Sequence, residues 1–210
     1  MIGQRSRPIW NTRMGEESMP DLEKKRKPEV IVFAGPNGSG KSTITRMAKT
    51  VGIYINADDI KKASHCTDLE AAVRAEQLRE EAVESLQDFT FETVLSTERN
   101  LLLLKKARER GFFIRVIYVL TADPTVNVIR VKARKEIGGH DVPEEKIRTR
   151  YDRALKLIPE LVNLCDVMHI YDNTETPFRI FKKRKDQFFY WENPEWTKFD
   201  IEMLTGVSFS

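Results

Sequence analysis

The stretch that decides the fold reads Val30-Ile31-Val32-Phe33-Ala34, followed directly by Gly35-Pro36-Asn37-Gly38-Ser39-Gly40-Lys41-Ser42-Thr43. The first five residues form a short apolar run, which is typical of a strand buried on both faces. The next nine fit the pattern G-x-x-x-x-G-K-[ST], and a helix is predicted after them at Ser42–Thr50. A strand, a glycine-rich turn and a helix in this order predict a phosphate-binding loop.

Each residue type in this loop has a physical role in holding phosphate. Gly35, Gly38 and Gly40 permit backbone angles that turn successive N–H groups towards one concavity. The N-terminus of the following helix adds the positive end of a dipole. Lys41 has the length to reach the β- and γ-phosphates, and the Ser42 hydroxyl is a ligand for Mg²⁺. The loop therefore predicts a nucleoside triphosphate, ATP with Mg²⁺, but it does not specify a reaction.

Outward from the loop, apolar runs of strand length alternate with helical patterns. Strands are predicted at 53–55, 89–94, 112–120 and 167–171, and helices at 69–86, 101–110, 125–137 and from Pro143 through Ile158. This alternation predicts an α/β fold, the three-layer sandwich of P-loop NTPases with a mainly parallel sheet and helices on both faces. Near the C-terminal end we expect a strand at Phe178–Phe181, a solvated turn at Lys182–Lys185, and an aromatic cluster at 188–191 that packs on the domain with Trp196.

Composition divides the chain into two parts. The 210 residues are 40% hydrophobic and 32% charged, which excludes a disordered, collagen-like or disulfide-rich chain. Residues 1–28 hold seven of the 35 Lys and Arg residues and four of the 32 Asp and Glu residues, so the net charge of +3 comes from this segment. We therefore expect a basic extension at 1–28 and one neutral domain at 29–210, and a neutral domain argues against nucleic acid as a partner.

The sequence carries no signal for a membrane or for a metal held by cysteine. No apolar run is long enough for a signal peptide or a membrane span. Cys66 and Cys165 are isolated from each other and lack metal-ligand spacing. We expect a cytoplasmic protein that does not associate with membranes and keeps both thiols free.

Candidate functional residues follow the predicted strands, because ligands of open α/β sheets bind beyond the carboxyl ends of the strands. The second strand runs into Asn56-Ala57-Asp58-Asp59. Beside a γ-phosphate, Asp58 would accept the proton of a substrate hydroxyl and so act as a general base. The alternative is that Asp58 or Asp59 serves as the N-cap of the helix that follows.

The third strand ends in Phe91-Glu92-Thr93-Val94-Leu95-Ser96. Glu92 stands among apolar and β-branched residues, where a charge is costly unless it faces a cleft or has a partner. It would bind Mg²⁺ through water or hold an acceptor hydroxyl. The alternative is an ion pair at the end of a strand.

A third group of candidates is basic. Arg130 and Arg134 are four residues apart on a predicted helix and share one face, and His140 follows Gly138 and Gly139. Positive charge opposite the phosphate loop would stabilise the transferring phosphoryl group. The alternative is a solvated helix face, since Lys132, Lys135 and Glu136 lie on the same helix.

Taken together, these segments resemble the zeta toxin family of P-loop kinases. The resemblance covers residues 30–173 and rests on several motifs in order, of which Arg130-x-x-x-Arg134-x-x-x-Gly138-Gly139-His140-Asp141-Val142-Pro143 is the most distinctive. The others are Gly35–Thr43, Ile55–Ile60, Phe91–Ser96 and Tyr171–Asn173.

The resemblance implies a small-molecule kinase that uses ATP or GTP with Mg²⁺ to phosphorylate UDP-N-acetylglucosamine, as the toxin of a toxin–antitoxin pair. It implies that Asp58 is the general base, that Lys41 holds the γ-phosphate, and that Arg130 or Arg134 contacts the transferring group. It implies a substrate pocket that contains Asn56, Glu92, Thr93, Ser96 and His140.

Three other readings of the same residues remain open. A kinase with the same chemistry would phosphorylate another small metabolite or a nucleotide. A kinase of nucleic-acid ends would use Lys24–Lys27 and Lys182–Lys185 as a track for phosphates. A regulatory module would bind ATP tightly and turn it over slowly.

Overall fold

The computed structural model describes residues 26–136, 138 and 142–209. The elements, in chain order, are β1 (Glu29–Ala34), α1 (Lys41–Thr45), β2 (Ile53–Ile55), α2 (Ala57–Ser64), α3 (Asp68–Glu84), β3 (Phe89–Thr93), α4 (Arg99–Glu109), β4 (Phe113–Leu120), α5 (Pro124–Glu136), α6 (Glu144–Lys156), α7 (Ile158–Leu164), β5 (Val167–Asp172), β6 (Phe178–Arg184), β7 (Gln187–Tyr190) and α8 (Lys198–Thr205). His140 and all but the last three residues of the predicted extension lie outside the described residues.

The strands form one seven-stranded sheet in the order β2-β3-β1-β4-β5-β6-β7. The first five strands of this order pair in parallel, and β6 and β7 add antiparallel at one edge. The predicted α/β class with a mainly parallel sheet is confirmed. β1 lies between β3 and β4, so the phosphate loop leaves the sheet at its centre.

The strand β1 is buried on both faces, as its apolar run predicts. Val30, Val32 and Ala34 belong to the main core, which they form with α3, α4, α7 and α8. Ile31 and Phe33 are buried on the opposite face, where α1 lies against β1. Helices on the two faces therefore hold the strand that carries the loop.

The helices α5 and α6 pack against each other around a separate apolar cluster of Val128, Val131 and Ile147. The prediction of one apolar stripe from Ile147 through Ile158 was wrong. The helix α6 ends before Leu157, and α7 begins at Ile158 with a proline in its first turn. Proline is favoured there and disfavoured inside a longer helix, so Ile158 joins the main core instead.

Two further predictions of local structure were wrong. The helix predicted at Ser42–Thr50 ends at Thr45, because Ile44 is its one buried residue and little packing supports a longer helix. The predicted turn at Lys182–Lys185 is mostly strand, since β6 runs to Arg184. The turn itself begins at Lys185, which has a positive φ of 53°. Sequence reasoning also did not predict β7 or α8.

Two remaining features concern the membrane and the thiols. Within the described residues, no helix has both the length and the apolar character needed to cross a membrane. Cys66 and Cys165 are both free, and burial raises the pKa of the Cys165 thiol to about 12.

Burial of Lys183 explains why the basic run is not a solvated turn. The Lys183 side chain is 8% exposed, and its Nζ donates a hydrogen bond of 2.5 Å to the carbonyl oxygen of Val162 in α7. We expect Lys183→Met to keep the apolar stem, remove the donor and lower the free energy of unfolding by about 1–3 kcal/mol. Urea denaturation measures this difference. The matched control is Lys182→Met on the half-exposed neighbour, and an equal loss in both variants would contradict the structural role of Lys183.

Candidate functional site

The phosphate loop adopts backbone angles that only glycine tolerates well. Gly38 and Gly40 have φ values of 77° and 92°, in the left-handed region. A Cβ atom on Gly38 would stand 2.5 Å from the backbone oxygen of Asn127. The loop is therefore shaped by close contact with α5 as well as by its own turn.

Two asparagines hold the loop from outside. Asn127 in α5 is fully buried, and its Nδ2 donates to the backbone oxygen of Asn37 at 2.6 Å. Asn173, directly after β5, donates from Nδ2 to the backbone oxygen of Ser39 at 2.8 Å. Asn173 belongs to the Tyr171–Asn173 motif of the family resemblance, but its contact with the loop was not predicted, and no pattern singled out Asn127.

Lys41 turns back onto its own loop. Its Nζ donates to the backbone oxygens of Gly35 at 2.7 Å and Pro36 at 3.0 Å. Burial lowers the pKa of Lys41 to about 8, and the charge of Arg134 lowers it further, against the opposing charges of Glu92 and Asp58. A phosphate bound in the loop would therefore lie close to Lys41 and would stabilise its charged form.

A cavity of about 520 Å³ lies at the carboxyl ends of the strands, beside the loop. It brings together six residues that the sequence predicts for catalysis or substrate binding, namely Lys41, Asn56, Asp58, Glu92, Thr93 and Arg134. The loop residues Asn37, Gly38 and Ser42 line it too. Nucleotide-binding and acceptor-binding candidates therefore share one space.

The N-cap of α2 is Asn56, not Asp58 or Asp59. The Asn56 side chain accepts a hydrogen bond of 2.9 Å from the backbone N–H of Asp58, and Asn56 has extended backbone angles. The alternative reading of Asp58 as the cap was therefore wrong. Its carboxylate lies in the first turn of α2, where the helix dipole favours negative charge, and lines the cavity.

Glu92 has a phenol as its partner. The Tyr54 hydroxyl donates to Glu92 Oε1 at 2.6 Å, and burial together with this hydrogen bond raises the pKa of Tyr54. Tyr54 lies on β2, next to β3 in the sheet, and sequence reasoning did not single it out. Within the described part of the chain, Glu92 forms this hydrogen bond rather than the ion pair that was the alternative reading, and no hydrogen bond to its second carboxylate oxygen is found there.

A second cavity of about 420 Å³ adjoins the first on the side of α1. Ser42, Asp58 and Glu92 line both cavities, while Arg46 and Lys62 line the second alone. The shared residues mark the place where ligands in the two spaces would meet.

Thr93 and Ser96 have smaller roles in the cavity. Thr93 lines it, but its hydroxyl accepts hydrogen bonds from Asn100 Nδ2 at 2.7 Å and from the Leu95 N–H at 2.9 Å. Ser96 is half-buried in the loop after β3 and is not among the described residues that line either cavity. The prediction that Thr93 and Ser96 bind substrate stays a prediction.

Arg130 and Arg134 have different surroundings. The Arg130 guanidinium donates to the backbone oxygens of Asn173 at 2.7 Å and Thr174 at 2.9 Å. Arg134, one turn further along α5, lines the larger cavity with Lys146 and Arg150. Arg130 therefore holds the segment that supports the loop, and Arg134 is the one placed to meet a ligand.

The donor atoms fit a magnesium ion. The Ser42 hydroxyl and the carboxylates of Asp58 and Glu92 supply hard oxygen ligands around the shared region. Within the described residues no three acidic, His or Cys side chains cluster closely enough to hold a metal by themselves. Mg²⁺ typically binds in this way, with one or two protein oxygens and the remaining ligands from phosphate and water.

A family model described as Zeta toxin matches residues 12–186. The chain belongs to the Zeta toxin family. The match begins inside the segment predicted as a basic extension, so the boundary at residue 28 stays a prediction. An uncharacterized protein of Haemophilus influenzae is 31% identical over 129 residues, which are 59% of this chain and 92% of that protein.

Solved structures share the fold of this Zeta toxin family member. A chain of the PezAT chromosomal toxin–antitoxin system of Streptococcus pneumoniae superposes with a TM-score of 0.56 at 16% identity, covering 88% of this chain and 81% of that one. A chain of the AvrRxo1-ORF1:AvrRxo1-ORF2 complex superposes with a TM-score of 0.65 at 14% identity, and the match covers 85% of this chain and 64% of that one. A chain of the same complex with ATP superposes with a TM-score of 0.61 at 14% identity, and the match covers 78% of this chain and 60% of that one. At these identities the likeness shows the fold, and together with family membership it supports an ATP-dependent, kinase-like phosphotransferase.

The lowered pKa of Lys41 predicts that ATP binding takes up a proton. Above pH 8 the free protein has lost the charge of Lys41, and bound phosphates would restore it because they favour the protonated form. Calorimetry at pH 8.5 in buffers of different ionisation enthalpy measures the uptake, and affinity should fall as the pH rises through 8. Lys41→Met should bind ATP more weakly and take up no proton at this site. Equal uptake by both proteins would contradict the assignment.

Proposed function

We propose that this Zeta toxin family member transfers the γ-phosphoryl group of ATP to a hydroxyl of a small molecule, and that the acceptor is UDP-N-acetylglucosamine. The observation that carries the proposal is the convergence of Lys41, Asp58, Glu92 and Arg134 on one cavity at the phosphate loop. Family membership supports the chemistry, and the resemblance in sequence suggests the acceptor.

Each of these residues has a separate role in the proposed phosphoryl transfer. The loop amides hold the β- and γ-phosphates, and Lys41 moves from its contacts with Gly35 and Pro36 to neutralise them. Asp58 takes the proton of the acceptor hydroxyl, whose oxygen forms the new bond to phosphorus as the bond to ADP breaks. Arg134 stabilises charge on the transferring group. Catalysis by these residues is mostly positioning and electrostatics.

Glu92 and Tyr54 act on the acceptor side of the cavity. The Tyr54 hydroxyl fixes the orientation of the Glu92 carboxylate, whose free oxygen accepts a hydrogen bond from the substrate. Ser42, with Asp58 and Glu92 through water, would hold Mg²⁺, which supplies neutralising charge at the phosphates. GTP in place of ATP is the other nucleotide that this loop would accept.

A protein antitoxin is the partner that belongs with this proposal. The PezAT protein is described as part of a toxin–antitoxin system, and membership of the same family supports a similar arrangement here.

The test of the acceptor is mass spectrometry of UDP-N-acetylglucosamine after incubation with the protein, Mg²⁺ and ATP. We expect a product heavier by one phosphoryl group, and a turnover reduced about 10²- to 10⁴-fold in Asp58→Ala, the usual scale for a general base. Asp59→Ala is the matched control, because Asp59 shares the same helix turn but does not line the larger cavity.

Three outcomes are distinguishable in this experiment. ATP binding without product would overturn this acceptor and move the search to other metabolites and nucleic-acid ends. ATP binding without turnover of any acceptor would favour a regulatory module. Equal loss of turnover in Asp58→Ala and Asp59→Ala would contradict the role of Asp58.

Arg130 and Arg134 provide a second test. We expect Arg134→Ala to lower turnover about 10²-fold or more with little change in stability, since an electrostatic contact to the transferring group is lost. Arg130→Ala should instead lower the melting temperature, because the backbone oxygens of Asn173 and Thr174 lose their donor. Steady-state kinetics measures the turnover of both variants, and thermal denaturation measures their melting temperatures. A larger loss of turnover in a stable Arg130→Ala protein would reverse the assignment.

A further inference from the structure

Within the described part of the chain, one face of the strands β5 to β7 carries side chains that are half-buried or exposed, and we call it the open face. On the other face of the sheet, Tyr118, Ile170 and Phe181 are fully buried beneath helices. On the open side, His169 of β5 stands opposite Lys182 of β6, which stands opposite Phe189 of β7. These three side chains are half-buried or exposed. Parallel strands such as β4 and β5 are ordinarily covered on both faces, so this exposure is unusual.

Cations and aromatic rings alternate across this surface. We define the open face by Tyr171, Arg179, Lys182, Arg184, Phe189 and Trp191. The Arg179 guanidinium lies 4.5 Å from the centre of the Trp191 ring, and Lys182 Nζ lies 5.6 Å from the centre of the Phe189 ring. His169 and Tyr171 stack with an angle of 14° between their rings.

Among the residues that the structure describes, no acid forms an ion pair with the cations Arg179, Lys182 and Arg184 of the open face. On the described strands β4 to β7, no residue directed to this side is a carboxylate. The Nε of Arg179 is buried and has no hydrogen-bond partner within the described residues. The neutral net charge of the domain therefore conceals an uneven distribution.

The pKa of His169 is consistent with this excess of positive charge. Burial lowers the pKa of His169 to about 4, with additional lowering by the charges of Arg179, Lys182 and Arg115. Arg115 itself is paired with Glu29, so Arg179 and Lys182 remain as the unpaired charges beside the ring. A surface with this field attracts a polyanion.

We propose that the open face binds single-stranded nucleic acid. Alternating rings and cations match the alternating bases and phosphates of a single strand, because bases stack on aromatic side chains while phosphates contact Lys and Arg. A groove of about 390 Å³ lies at the sheet edge, where Phe189 and Trp191 of the open face meet Phe188, Tyr190 and Phe209 of the opposite side. An acidic protein segment would satisfy the cations but offers no regular partner for the ring faces.

This inference does not depend on the proposed kinase reaction. The open face lies on the flank of the sheet, and none of its six residues lines the cavities at the phosphate loop. Binding of a strand and phosphorylation of a small molecule are therefore separable.

The experiment is fluorescence anisotropy of labelled single-stranded oligonucleotides, RNA and DNA, with the full chain over a range of salt concentrations. Lys182→Glu/Arg184→Glu should weaken binding and reduce the slope of log K against log salt by about 1.4, because two phosphate contacts are lost. The matched control is Arg153→Glu/Lys156→Glu, which changes the net charge equally on the exposed side of α6. Trp191→Ala should weaken binding about 5- to 100-fold through lost stacking, and Lys41→Met should bind as the unmodified chain does.

Each contrary result overturns the proposal. No binding by the full chain at low salt would do so, as would equal losses in the two double variants, which would indicate a general effect of charge. Equal affinity for a duplex of the same sequence would remove the role of stacking. Displacement of the strand by polyglutamate, with binding of polyglutamate unchanged in Trp191→Ala, would identify the surface as a site for acidic proteins instead. Circular dichroism and thermal denaturation of each variant confirm that it is folded.

Discussion

The contact between the phosphate loop and two buried amides is the constraint on which the site depends. Asn127 reaches the loop from α5 and Asn173 from the end of β5, and each donates to a backbone oxygen of the loop. These hydrogen bonds fix the positions of the Asn37 and Ser39 carbonyl groups in the loop backbone. Because α5 also carries Arg134, the same packing that shapes the loop places a cation across the cavity from it.

Charge in the cavity is arranged around Lys41. Its ammonium group is held by two loop oxygens while burial disfavours its charged form. Asp58 and Glu92 oppose this effect and Arg134 adds to it. A phosphate entering the cavity would relieve the cost of that burial, since buried charges are stabilised chiefly by partners. The site therefore favours the anionic ligand that its loop geometry accommodates.

Much of the fold could be predicted from local patterns. Glycine spacing and alternating periodicity are local in sequence, so the loop and the order of elements from β1 to β6 were predicted correctly, apart from the division between α6 and α7. Predictions failed where packing overrides local preference. The basic run at Lys182–Lys185 is the plainest case, because Lys183 is drawn into the core by the oxygen of Val162. The early end of α1 and the separate helix α7 have the same origin.

The sequence by itself determined the family, the loop and the residue types that would meet at the ends of the strands, because these depend on motifs that are short and ordered. Only the tertiary structure decided which candidates are neighbours. It made Asn56 the cap and left Asp58 to the cavity, paired Glu92 with Tyr54, and separated Arg130 from Arg134. The reason is physical: hydrogen-bond partners and exposed faces are set by residues far apart in the chain, which no local pattern contains.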